Sequence, residues 1–143
     1  MGALSRTILA TFFLTMSFSG CAAPPQSVLA QRCYVVEGSR DRYLEIDKLS
    51  RSLASAAGLQ FEGENSAALV IKGASSRSRI VVSSPFGPDA SIIALYRIDQ
   101  DNIGLDEFLD RLLIRIADLN LVTKECSAVP GVRVPSIHGD LSD

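Results

Sequence analysis

Residues 91–98, Ser-Ile-Ile-Ala-Leu-Tyr-Arg-Ile, decide the fold because they form the clearest strand in the sequence. Successive side chains of a strand point to opposite faces, so Ile93 and Leu95 lie on one face. The other face carries Ile92, Ala94, Tyr96 and Ile98. Both faces are apolar, which fits either a central strand covered on both sides or a sheet face that binds a partner. Ile93 and Leu95 are therefore candidate partner-binding residues.

Other short β-prone runs lie around this strand, at residues 33–36, 59–62, 67–72 and 79–83. The last three follow one another through turn-like stretches rich in glycine and serine, which favours an antiparallel meander. A short strand at residues 33–36 precedes them and is separated from them by a helix.

Two helices are predicted from apolar spacing. The first is amphipathic from Ile46 and should end at about Ala57, because Gly58 suits the position just after a helix. The second covers residues 105–121 and has a broad apolar stripe, formed by Phe108, Leu109, Leu112, Leu113, Ile116 and Leu119. We therefore predict an α+β fold in the order (β)αβββα. A small antiparallel sheet of three to four strands packs both helices on one face.

The N-terminus has the three parts of an export signal. Arg6 precedes an apolar run that ends near Phe18, and Ser19 and Gly20 then lead directly to Cys21. Residues 17–21, Ser-Phe-Ser-Gly-Cys, resemble the lipobox of bacterial lipoproteins, although Phe18 stands where an aliphatic residue is usual. The resemblance implies that residues 1–20 are removed and that Cys21 carries lipid, including palmitate. The other interpretation is an ordinary cleaved signal followed by a coincidental cysteine.

The same resemblance implies a location in the cell envelope. Lipoproteins kept in the inner membrane often have aspartate after the lipidated cysteine, and here that residue is Ala22. We therefore expect anchoring in the outer membrane, most simply on its periplasmic side. Residues 21–31 then form a tether, residues 32–126 the folded domain, and residues 127–143 a loose C-terminal tail.

With Cys21 assigned to lipid, Cys33 and Cys126 are the remaining cysteines. An even pair in an oxidising compartment predicts a disulfide; two buried or reactive thiols are the alternative.

Removing the signal, 20 of the 143 residues, leaves 123, enough for one domain. These contain 13 basic and 16 acidic side chains, a net charge of −3. Such a balance gives no general attraction to nucleic acid.

Two loops are candidate interaction surfaces. Arg77 and Arg79 form a small basic patch suited to anionic lipid or an acidic protein, unless they simply lie on a solvated turn. Phe86 lies between Pro85 and Pro88, in a stiff loop suited to protein recognition, or it packs under the sheet.

Residues that would support catalysis or a metal site are few. The only histidine, His138, lies in the predicted tail, and zinc sites need a compact set of ligands. Asp106 and Asp110 are four residues apart on one helix, a spacing more typical of a solvated helix face.

The sequence predicts no enzyme, cofactor or metal. It favours an accessory or adaptor lipoprotein that binds a protein of a secretion or transport assembly. The alternatives are an inhibitor or immunity lipoprotein that blocks a periplasmic toxin or cell-wall hydrolase and, after that, a hydrolase.

Overall fold

The structure, a computed structural model, describes residues 26–38, 40–62, 68–73, 76–84, 89–99 and 103–139. These residues form two helices and antiparallel sheets, so the predicted α+β class is confirmed. In chain order the elements are β1 (Gln26–Leu29), β2 (Arg32–Glu37), α1 (Arg40–Ala56), β3 (Gln60–Glu62), β4 (Ala68–Lys72), β5 (Arg79–Ser83), β6 (Ala90–Tyr96), α2 (Ile103–Asp118), β7 (Thr123–Glu125) and β8 (Ser136–Gly139).

The main sheet has six strands in the order β3-β4-β5-β6-β2-β7, and all neighbours are antiparallel. The prediction of three to four strands and the predicted element order were therefore wrong. The meander from β3 to β6 was visible in the sequence because β4, β5 and β6 are apolar and turn-like stretches separate β3, β4 and β5. β7 was missed because its sequence, Thr-Lys-Glu, has no apolar alternation. It is the edge strand of the sheet and pairs only with β2.

β6 is a central strand, which corrects part of the predicted binding surface. Ile93 and Leu95 are fully buried and pack in the core beneath the two helices, together with Leu109 and Leu112 of α2. They are therefore unavailable to a partner. The opposite face of β6 lies in a second core with Val35 of β2.

The chain itself covers that second face. β1 and β8 pair as a two-stranded sheet, which we call the ribbon. Val28 and Ile137 lie opposite each other in the ribbon and pack on the second core. The predicted tether and tail thus differ from the structure, since each contributes a strand. One inward apolar side chain in each strand is too little for a periodic signal in the sequence.

The start and end of α1 depend on glycines. Gly58, at φ +70°, follows the helix, and Leu59 N–H donates to the carbonyl of Ala54 at 2.9 Å. This is the hydrogen bond of a Schellman motif, and it places the helix end one residue before the predicted Ala57. Gly38, at φ +154°, precedes the helix, where a Cβ would lie 2.9 Å from Cβ of Arg42. Both positions favour glycine.

The predicted disulfide joins Cys33 and Cys126, whose Cα atoms are 5.4 Å apart and which are separated by 93 positions in the chain. Tyr34 pairs with Glu125 in the β2–β7 ladder, so the two cysteines occupy the next cross-strand position. At Cys126 the chain leaves the ladder in a 3₁₀ turn, Cys126–Ala128, and continues to the ribbon. The disulfide therefore fixes the point where the C-terminal segment crosses to the second face.

Candidate functional site: the groove between the helices

The two helices run antiparallel, and the surface between them has two separate hollows. Toward the C-terminal end of α2 it forms a hollow of about 340 Å³, floored by Leu49 and Leu119. Toward the N-terminal end of α2 it forms a second hollow of about 230 Å³, which includes Leu53 and Phe108. The helix rise of about 1.5 Å per residue makes the stretch from Gly104 to Leu119 about 22 Å long. We call these two hollows together the helix groove.

The groove follows from apolar stripes that are wider than their contact with the sheet. Ile46 and Ala54 of α1 face the core and are fully buried, whereas Leu49 and Leu53 lie at the border of the stripe and are half-buried. The sequence analysis predicted an amphipathic helix here and did not separate core residues from residues at the border of the stripe. The breadth of the stripes was the available signal, because a stripe wider than one packing surface leaves apolar side chains at its margin.

Charges of both signs line the rim of the groove. At one hollow Glu45 and Lys48 of α1 face Arg115 and Asp118 of α2; at the other, α2 contributes Glu107 and Arg111. Glu45 also accepts a hydrogen bond from Arg42, at 2.8 Å. The rim therefore combines three acidic and three basic residues around an apolar floor. This arrangement suits an apolar surface flanked by mixed charges better than a strongly charged ligand.

The predicted basic patch is largely engaged within the protein. The backbone N–H of Arg77 donates to Asp99 at 2.6 Å, and its guanidinium donates to the same carboxylate at 3.1 and 3.0 Å. These bonds, the backbone one foremost, hold the pKa of Asp99 below its usual range. Arg79 donates from Nε to the Arg77 carbonyl at 3.2 Å. Phe86, the other predicted surface residue, lies outside the described residues.

Asp106 and Asp110 of α2 are bound to Arg32 of β2 and to Arg97, which directly follows β6. Arg32 donates to Asp110 at 2.6 Å and to Asp106 at 3.4 Å, and Arg97 also pairs with Asp106. Tyr34 accepts from Arg32 at 3.2 and 3.1 Å. Burial opposes the charge of Arg32, but its hydrogen bonds to Asp110 and Tyr34 outweigh this effect and raise its pKa. The cluster therefore fastens α2 to the sheet.

His138 and these two carboxylates lie in different layers of the molecule. It is exposed on the ribbon, where its Nε2 is 3.1 Å from Oγ of Ser136, while Asp106 and Asp110 belong to the helix layer. The structure does not bring the three residues to one site. No group of three or more possible metal ligands occurs among the described residues. Cys21 lies outside them.

Neither helix of the described chain combines the length and the apolar composition that crossing a membrane requires. The chain matches no family model, no curated protein and no solved structure.

Proposed function

We propose that the protein is a lipoprotein of the outer membrane, held there on the periplasmic side by lipid on Cys21. Its folded domain binds a protein partner through the helix groove and acts as an accessory in an envelope assembly. The lipobox-like residues 17–21 support the anchor. The apolar floor and the mixed-charge rim of the groove support a protein partner over a small ion or a nucleic acid.

The order of the layers carries this proposal. The ribbon begins at Gln26, five positions after Cys21, and packs on one face of the sheet. The helices pack on the other face. A chain anchored at Cys21 therefore holds its ribbon toward the membrane and presents its groove on the opposite side, to proteins of the periplasm.

The groove favours one kind of occupant, an amphipathic helix of the partner. Helix-in-groove recognition places an apolar stripe into a hydrophobic groove, and a helix of about four turns would reach from one hollow to the other along α2. Acidic and basic residues on both sides of the apolar stripe would meet the alternating charges of the rim. Leu49 and Leu119, the floor of the larger hollow, are the expected contact residues.

Photo-crosslinking in cells tests this proposal. A photoreactive amino acid replaces Lys48 at the groove rim or, as the matched control, Ser127 on the sheet side of the molecule; both residues are exposed. We expect crosslinks to one envelope protein from position 48 only, with the crosslinked peptide in an amphipathic helix. Adding Leu49→Arg should remove the crosslink while the circular dichroism spectrum stays unchanged.

Three results would overturn this assignment. Equal crosslinking from both positions, or a crosslink that survives Leu49→Arg, would show that the groove is not the binding surface. Crosslinking to one enzyme, together with inhibition of that enzyme by the purified domain, would instead indicate the inhibitor class.

A further inference from the structure

The ribbon has an inward and an outward side, and on the outward side Ser27, Leu29 and His138 are exposed while Ser136 is half-buried. Val28 and Ile137 face the second core. The alternation of side chains along a strand turns the neighbouring pairs, Ser27 with His138 and Leu29 with Ser136, to the outside. Leu29 is 66% exposed, the most exposed of the large apolar side chains that the structure describes. Leu29 lies eight positions after Cys21, so its exposed part is available for a contact near the anchor.

Chain length limits how far the ribbon can lie from the lipid. Five steps separate the Cα atoms of Cys21 and Gln26, and an extended chain covers at most about 3.3–3.6 Å per residue. The ribbon therefore begins within about 18 Å of the lipidated residue, whatever conformation residues 22–25 adopt. A flexible chain of this length has a typical end-to-end distance of only about 12 Å.

This limit favours an orientation with the ribbon toward the membrane over one with the helices toward it. Packed sheets lie about 10 Å apart, and a helix with its side chains is about 10–12 Å across. The outer surface of the helix layer is thus at least about 20 Å from the ribbon. A domain resting on its helices would need the connecting residues fully extended, whereas a domain resting on its ribbon leaves them relaxed.

We infer that the outward side of the ribbon lies against the lipid headgroups and that Leu29 enters the membrane interface. This inference rests on the proposed lipidation of Cys21 and on the orientation proposed above, and it adds the residues that contact the membrane. Ser27, Ser136 and His138 suit a headgroup environment because they are small or polar. None of the four side chains is acidic, so anionic lipids do not repel this side of the ribbon.

Tryptophan fluorescence tests the inference, because the natural sequence contains no tryptophan. The lipidated full-length protein is prepared with Leu29→Trp or Ile114→Trp and added to phosphatidylethanolamine–phosphatidylglycerol vesicles that contain brominated lipid. Ile114 is the matched control, since it is 63% exposed but lies on the helix layer. Ser136→Trp provides a second position on the outward side. We expect the Leu29→Trp and Ser136→Trp variants to lose most of their fluorescence, and the Ile114→Trp variant to lose none.

Vesicle co-sedimentation distinguishes a failure of the lipid anchor from a failure of the proposed orientation. If the protein sediments with vesicles but its Leu29→Trp and Ser136→Trp variants are quenched no more than Ile114→Trp, the orientation is wrong and the anchor stands. If the purified protein carries no lipid and does not sediment, both the anchor and the orientation fail.

Discussion

At the residue scale, Ser78 and Asp99 join the β4–β5 connection to the end of β6. Ser78 is fully buried, and its Oγ accepts hydrogen bonds from the backbone N–H groups of Ile98 at 2.7 Å and Asp99 at 2.9 Å. Asp99 in turn accepts from the backbone and side chain of Arg77. The two residues are thus acceptors for chain segments about 20 positions away.

Replacing Ser78 should destabilise the fold without altering any exposed surface. Ser78→Ala leaves two N–H groups without their acceptor, and an unsatisfied buried polar group costs about 1–3 kcal/mol. We expect the free energy of unfolding, measured in urea, to fall by this amount. Ser127→Ala, at an exposed serine, is the control and should change it by less than about 0.5 kcal/mol. Equal effects of the two substitutions would contradict the role of Ser78.

The carboxylate of Asp99 predicts a pH dependence of stability. Its pKa is lower in the folded than in the unfolded chain, so its stabilising effect is complete above the unfolded value of about 3.9. The effect is lost as the pH falls through the lower folded value, because both states are then protonated. Asp99→Asn should therefore destabilise the protein at neutral pH, and the difference from wild type should shrink below about pH 4.

Unfolding in urea across this pH range measures the effect of Asp99. Glu125→Gln removes an exposed carboxylate of β7 and should give a much smaller difference at neutral pH. A difference between Asp99→Asn and wild type that stays constant down to the lowest pH would contradict the assignment.

The sequence predicted which side chains of β6 share a face, but it did not predict which distant residues contact them. The assignment of Ile93 and Leu95 to one face of β6 was right, and so was the view that both faces are apolar. Which face the protein itself covers depends on β1 and β8, and these lack a periodic pattern. The bonds of Arg77 with Asp99, and of Ser78 with the backbone beside it, join distant parts of the chain and leave no local pattern at all.

At the element scale, the ribbon predicts opposite responses at two adjacent positions. Val28 faces the second core, whereas Leu29 faces outward. Val28→Asn places an amide among apolar side chains and should lower the free energy of unfolding by about 1–3 kcal/mol. Leu29→Asn should change it by less than about 0.5 kcal/mol. Urea unfolding of the two variants checks this, and equal or reversed effects would show that the register of the ribbon is wrong.

The disulfide should stabilise the C-terminal segment that follows Cys126 and forms β8. Closing a loop of this length contributes at most about 4–5 kcal/mol in the chain-entropy model. The Cys33→Ala/Cys126→Ala double variant should lose up to this amount, and hydrogen exchange of residues 136–139 should accelerate most. Cys21→Ser, which leaves both bonded cysteines in place, serves as the control. Free thiols at Cys33 and Cys126 in non-reducing mass analysis would contradict the pairing.

Sequence patterns located both helices and the strands of the meander, and they missed three other short strands. β5 has the predicted bounds, and α1 ends within one residue of its predicted end, because apolar periodicity and Gly58 are local signals. β1, β7 and β8 have only three or four residues each and depend on pairing with distant segments. The helix groove was not predicted either, since it depends on how α1 and α2 pack together.

At the scale of the whole molecule, three layers lie in a fixed order of ribbon, sheet and helices. The disulfide and the second core hold the ribbon on the sheet, and the first core holds the helices on the other face. The ribbon begins five positions after Cys21. In the proposed arrangement this order turns the ribbon to the membrane and the helix groove to the periplasm.

Lipid attachment at Cys21 is the feature on which both the membrane orientation and the anchored binding function depend. Metabolic labelling with palmitate, followed by membrane fractionation, tests it most directly. The wild-type protein should carry the label and fractionate with the outer membrane, and so should the Cys33→Ala/Cys126→Ala variant. Cys21→Ser should lose the label and leave the membrane fraction. A Cys21→Ser variant that keeps the label or remains with the membrane would contradict the anchor.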